Sequence, residues 1–230
     1  QYSTNLTGLI GGRYEYKKLK VNVNYIFLNG SNNNYFVSQG NTWEDDSPET
    51  MDQRFIRNRY LQRGMNDIQV IAELNLGRTN AKFGGSYTSA NTTEPDRRDL
   101  KAITTQDETE FGIITPDQSD QKQRYFQSAQ ETEIYGFGEL DYGFGGLDNN
   151  DNFINKLVGG VQVKSKRREM QQASYQLVMD DALFNAEPIE LSKVDEYLTE
   201  ENYNKGLFSY EPIIRAADFM SAERTIIAGY

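Results

Sequence analysis

The chain has 230 residues, no cysteine and no histidine, and sets 24 Lys and Arg against 34 Asp and Glu for a net charge of -10. This excludes disulfide scaffolds, cysteine zinc sites, thiol nucleophiles and Ser-His-Asp or Cys-His catalysis, and it gives no bulk attraction for nucleic acid or anionic lipid. The hydrophobic fraction of 37% is low for a soluble core, while Tyr (15), Phe (12) and Gly (19) are plentiful.

No run of about 18 apolar residues offers a transmembrane helix. A strand that crosses a membrane asks for less, about 9–11 residues of which only alternate ones are apolar. Alternation of period two runs through this chain. Tyr2 to Tyr16 sets Leu6, Gly8, Ile10, Gly12, Tyr14 and Tyr16 against Ser3, Asn5, Thr7, Arg13 and Glu15. Leu19 to Asn29 sets Leu19, Val21, Val23, Tyr25 and Phe27 against Lys20, Asn22 and Asn24. Asp67 to Leu76 sets Ile68, Val70, Ala72, Leu74 and Leu76 against Asp67, Gln69, Glu73 and Asn75, with Ile71 the exception.

Ala81 to Ser89 follows, with Phe83 and Tyr87 opposite Lys82, Ser86 and Thr88. Thr132 to Phe144 sets Ile134, Leu140, Tyr142 and Phe144 against Glu133, Glu139 and Asp141. Phe153 to Ser165 sets Leu157, Val161 and Val163 against Lys156, Gln162 and Lys164. Ala222 to Tyr230 is the weakest, because Arg224 interrupts its apolar side. The pattern predicts about seven antiparallel strands. On alternation alone, a soluble sheet with one wet face fits equally well.

Connection lengths separate the two. Lys17-Lys18, Gly77-Arg78-Thr79 and Gly145 to Asn152 make short turns. Between them lie long segments, about 30–65, 90–131 and 166–221. Compact soluble domains rarely carry several such connections. Outer-membrane barrels join short periplasmic turns to long extracellular loops, with aromatic girdles at both interfaces. Tyr14, Tyr16, Tyr142, Phe144 and Phe153 all lie beside the short turns. The expected fold is thus all-β, a segment of a large antiparallel transmembrane barrel.

The long segments hold the candidate ligand contacts. Trp43, the only Trp, either stacks on a ligand or packs its loop. Arg97 and Arg98 stand in a mixed-charge run from Thr93 to Asp99, suited to local salt bridges or to substrate. The third segment predicts a short helix, with Ser192 as N-cap, Asp195 in its first turn and Gly206 as its stop. Asp148 to Asn152 is not a calcium loop, since Phe153 stands where the sharp-turn glycine belongs. The Gly-Phe-Gly pairs precede no helix and are not phosphate loops. Carboxylate pairs such as Glu131 and Glu133 have no facing geometry for glycosidase chemistry. The expectation is no enzyme, no metal and no cofactor.

Two stretches carry a family resemblance. SYTSANTTEPDRRDL (Ser86 to Leu100) reads as a strand entering a Pro-Asp-Arg-Arg loop, and YEPIIRAADFMSAERTIIAGY (Tyr210 to Tyr230) as a re-entry strand. Both resemble the barrel of TonB-dependent outer-membrane receptors, especially those with an N-terminal carboxypeptidase-regulatory-like domain. The resemblance implies a 22-stranded barrel around a plug, which imports ferric siderophores, cobalamin or oligosaccharides using energy delivered by TonB. The chain opens and closes in strand and shows neither plug nor TonB box, so the expectation is a barrel section, with TonB engaged through a region not contained here. The implied partners are outer-membrane lipid, TonB and an unidentified small ligand, with no nucleic acid. Val21, Val23, Ile68, Val70, Leu157 and Val161 are expected to face lipid. Asn22, Gln69, Glu73, Glu139 and Gln162 are expected to face the lumen. A passive porin-like or structural barrel, or a soluble secreted β-sheet adhesin, are the alternatives.

Overall fold

A computed structural model describes residues 2–41, 52–104, 111–113, 122–147, 153–180, 189–190, 193–215 and 218–230. Seven strands follow one path: β1 (Tyr2–Tyr16), β2 (Leu19–Asn41), β3 (Asp52–Asn75), β4 (Thr79–Thr104), β6 (Lys122–Leu147), β7 (Phe153–Met179) and β10 (Phe219–Gly229). Short strands β5 (Phe111–Ile113), β8 (Ile189–Glu190) and β9 (Phe208–Ile213) join the same sheet. Every pairing is antiparallel. Among the described residues the sheet does not close, and β1 and β10 are its edges.

The turns follow from local chemistry. Lys17 takes a positive φ of 53° in the β1–β2 hairpin. Gly77 turns at φ 89°, and its amide donates to Asn75 Oδ1 at 2.8 Å, a side-chain cap that closes the β3–β4 hairpin. At the other end, the three long connections expected from the sequence are corrected. Most of their residues are strand: β2 continues to Asn41, β3 begins at Asp52, β4 runs to Thr104, β6 starts at Lys122 and β7 runs to Met179. These extensions have little alternation. They are extended because each pairs residue by residue with a neighbour already in register below it.

The predicted helix is two short ones, α1 (Val194–Tyr197) and α2 (Glu200–Asn204). The expected cap Ser192 lies outside the described residues. The observed α2 cap is Thr199, whose hydroxyl accepts from the Asn202 amide at 3.2 Å. Gly206 ends α2 at φ 75°, with the amides of Gly206 and Leu207 returning to Tyr203 and Asn202, a left-handed C-terminal cap. The pair covers the main apolar cluster of the structure, Leu177, Met179 and Phe208, packed against Leu100, Val194, Tyr197, Leu198 and Leu207.

Register aligns the alternating residues of the strands into rows. Residues directly opposite one another share a face. One row reads Tyr14, Val21, Ala72, Phe83, Gly138, Val161, Gly229, and the next Gly12, Val23, Val70, Gly85, Gly136, Val163, Ile227. On β6 this apolar side runs from Ile134 to Phe144, about 34 Å of strand at roughly 3.4 Å per residue. The exposure of the two sides is the reverse of a water-soluble sheet. Ile68 and Val70 are 45% and 44% exposed, while their neighbour Asp67 is 6% exposed. Apart from the small cluster under the helices, the sheet buries little of its apolar surface within the chain.

Candidate functional site

The opposite face is organised by charge. Beside the turns, Glu15, Lys20, Glu73, Lys82 and Glu139 form one cross-strand row of alternating sign. Lys20 meets Glu15 and Lys82 meets Glu73, each at 3.6 Å. Tyr230 completes the row by donating to Glu139 Oε2 at 2.5 Å. Further along, Tyr135 donates to Gln162, Thr88 and Gln69 donate to Asp67, and Lys164 and Lys166 reach Glu133 and Glu131, both at 2.7 Å. Opposite charges facing one another across an antiparallel pair favour that pairing. The network therefore holds this face in order and leaves few of its polar groups unmet.

Register places the expected lumen residues Asn22, Gln69, Glu73, Glu139 and Gln162 together on this polar face. It places the expected lipid residues Val21, Val23, Ile68, Val70, Leu157 and Val161 together on the other. Ile71 breaks the sequence pattern because it belongs to the polar face, in one row with Asn22, Gly84, Phe137 and Gln162.

Farther from the turns, one extra residue on β4 interrupts both of its ladders, shifting the register against β3 between Asn58 and Gln62 and against β6 between Glu94 and Arg97. A bulge adds a residue to one strand and shifts which side chains share a face. Before it, Glu94 lies on the polar face; after it, Arg97 and Asp99 do. The bulge thus gives the polar face to Arg97 and the other face to Arg98.

On the polar face, Arg57, Arg59, Glu94, Arg97 and Asp99 make one cluster. Arg57 closes on Asp99 through two hydrogen bonds, at 2.7 and 2.8 Å. Arg59 Nε donates to Glu94 Oε1 at 2.8 Å. Arg97 sits between the two acids, 3.5 Å from Glu94 and 3.6 Å from Asp99, with its guanidinium 3.9 Å from the centre of the Tyr125 ring. Glu94 is nearly buried, at 4% exposure. Two enclosed atoms, Glu94 Oε2 and Arg97 Nε, have no hydrogen-bond partner. Three guanidinium groups against two carboxylates leave one positive charge over. A polyhydroxylated or anionic molecule arriving there would meet the partly exposed guanidinium groups of Arg57 and Arg59.

On the other face, Arg98 donates to Asp96 and is well exposed. Arg124 holds the same Asp96 through two hydrogen bonds of 2.9 Å. Burial pushes the Asp96 carboxyl up, but the bonds from Arg124 and Arg98 together outweigh it and hold the group below the ordinary carboxylate range. Arg124 also lies over the Phe126 and Tyr210 rings, beside an open hollow of about 460 Å³ floored by Ala173 and walled by Tyr175.

Trp43 lies outside the described residues. Arg124 and Tyr125 were not legible as site residues, because nothing local marks them and β4 brings them to the bulge. Arg57 and Arg59 carried a usable signal: two arginines spaced by two stand on one side of a strand. Among the described residues no three acidic side chains gather as a cation site. Comparison of the chain with protein-family models, curated proteins and solved structures finds no match.

Proposed function

We propose that this chain is part of the wall of a TonB-dependent nutrient transporter in a bacterial outer membrane. The observation that carries the reading is the inverted exposure: Val and Ile side chains stand open on one face while Asp67 is enclosed on the other. In water that arrangement wastes the largest favourable term in folding. In a bilayer it places the apolar face against acyl chains and the charge network around an interior.

The dimensions agree with this reading. The apolar run of about 34 Å on β6, tilted by roughly 45°, spans about 24 Å of membrane, against an apolar band of about 25 Å in outer-membrane barrels. The strands are far longer than that band requires. β3 has 24 residues, about 80 Å of strand, so its upper half stands clear of the membrane. There the Arg57–Arg59–Glu94–Arg97–Asp99 cluster lines the interior and meets the incoming ligand, a siderophore, cobalamin or oligosaccharide in the family that the sequence resembles.

Uptake of candidate nutrients by cells carrying the intact protein, with and without TonB, tests the reading. Uptake that needs TonB supports it. Equal uptake without TonB would make the protein a passive barrel. A protein that stays monodisperse in buffer without detergent is not a membrane barrel at all.

A further inference from the structure

We infer that the turn end of the sheet binds the phosphate groups of anionic phospholipid, through Lys17 and Arg78. This rests on the membrane reading above and names the lipid that meets the short turns. The chain as a whole is acidic, at -10, so the attraction is local to this rim.

Four observations converge. First, each of the two turns carries a cation seated on an aromatic ring: Lys17 Nζ lies 5.1 Å from the Tyr16 ring centre and the Arg78 guanidinium 5.5 Å from that of Phe153. Second, the Tyr16 ring belongs to the apolar face, since Tyr16 pairs with Leu19, and the Phe153 ring packs against Gly143 at the turn end of β6 and β7. Such rings settle at the level of the headgroups. Third, neither cation has a carboxylate partner among the described residues, where the acids of this end lie on the other face and are engaged there. Glu15 meets Arg13 and Lys20, Glu73 meets Lys82, Glu139 accepts from Tyr230 and Asp141 accepts from Asn80. Fourth, Lys17 occupies φ 53°, a left-handed position that glycine or asparagine takes with less strain. A lysine there is not chosen by the turn.

The geometry suits a phosphate. A cation lying on a ring keeps its outward N–H donors free, and both ammonium and guanidinium bind phosphate oxygens by charge-assisted hydrogen bonds. The turns are held side by side, because the Asn75 amide donates to the Lys18 carbonyl at 2.9 Å. Two strand spacings, about 10 Å, separate neighbouring hairpins, so the two cations serve adjacent headgroups of one leaflet.

The test uses the intact protein in nanodiscs of phosphatidylcholine, alone or mixed with phosphatidylglycerol, with retained lipid counted by native mass spectrometry. Wild type should retain phosphatidylglycerol preferentially, and Lys17→Gln with Arg78→Gln should lower the preference about fivefold for each cation removed. Arg98→Gln, far from the turns, should leave it unchanged, and Lys17→Arg with Arg78→Lys should restore it. Circular dichroism confirms that each variant keeps its strand content. Insertion with the same phosphatidylglycerol preference in the double Gln variant overturns this inference and leaves the membrane reading standing. Failure of wild type to enter any nanodisc takes down both.

Discussion

Arg57 on β3 and Asp99 on β4, 42 residues apart in sequence, are direct ladder partners whose side chains meet in two parallel hydrogen bonds, Nε to Oδ1 at 2.7 Å and Nη2 to Oδ2 at 2.8 Å. The bond to Asp99 is the main reason the Arg57 guanidinium is held still more firmly in its charged form, against the opposing effect of burial. The pair ties β3 to β4 just beyond the β4 bulge. Arg57→Ala leaves an enclosed carboxylate with only the looser Arg97 contact, and should cost about 1–3 kcal/mol. Arg57→Lys should recover only part of that, since an ammonium cannot supply two parallel bonds. Amide hydrogen exchange across Arg54–Asn58 and Arg98–Ala102 reads the effect. Unchanged protection in Arg57→Ala would show that the pair contributes nothing to the order of this region.

Face orientation is tested by paired substitutions. Val70→Arg and Val161→Arg put charge on the exposed apolar side, whereas Gln69→Arg and Gln162→Arg put it on the polar side one residue away. In lipid, the first two should lose on the order of 2–4 kcal/mol of folding free energy, and the second two much less. Urea titration of the protein folded into vesicles measures all four. Equal losses on both faces would reject the assigned orientation.

Gly84 and Gly138 separate packing from composition. A side chain at Gly84 would place its Cβ 2.5 Å from the Val70 carbonyl oxygen and 3.0 Å from the Phe137 ring, while one at Gly138 meets nothing within 4 Å. The Val70 oxygen is backbone and cannot give way without disturbing the β3–β4 ladder. Gly84→Ala should therefore destabilise by about 1–3 kcal/mol and Gly138→Ala by little. The same vesicle titration checks it, and similar midpoints for the two variants would contradict the close approach.

The Asp96 carboxyl has a definite pH dependence. Burial raises its pKa, and the Arg124 and Arg98 bonds lower it by more, so the folded value lies below the unfolded one. A depressed carboxyl contributes stability that is complete above the unfolded value, about 3.9, and is lost as pH falls through the folded value. The Asp96–Arg124 link should therefore persist at pH 4 and weaken only below it. A carbon-13 titration of the Asp96 carboxyl reports the midpoint, and a midpoint at or above that of a free aspartate would reject the linkage. Arg124→Gln should move it upward.

The sequence by itself determined the strands that show alternation, because a period of two is a local property that needs no partner. Leu19 to Phe27 and Ile68 to Leu76 are the clearest cases, and Tyr2–Tyr16 shows the same less sharply. Hairpin positions were legible for the same reason, in Lys17-Lys18 and Gly77-Arg78. The upper strands were not legible. Asn32, Asn33 and Asn34 favour turns over strands, and what extends them is a ladder propagated from the regular region below. Only the tertiary structure decided which faces Arg97 and Arg98 occupy, since one added residue between Glu94 and Arg97 reverses the order of sides. Only it assembled Arg57, Glu94, Asp99 and Tyr125 around Arg97, because the register that unites them is set by backbone pairing along whole strands and leaves no mark in the spacing of the residues themselves.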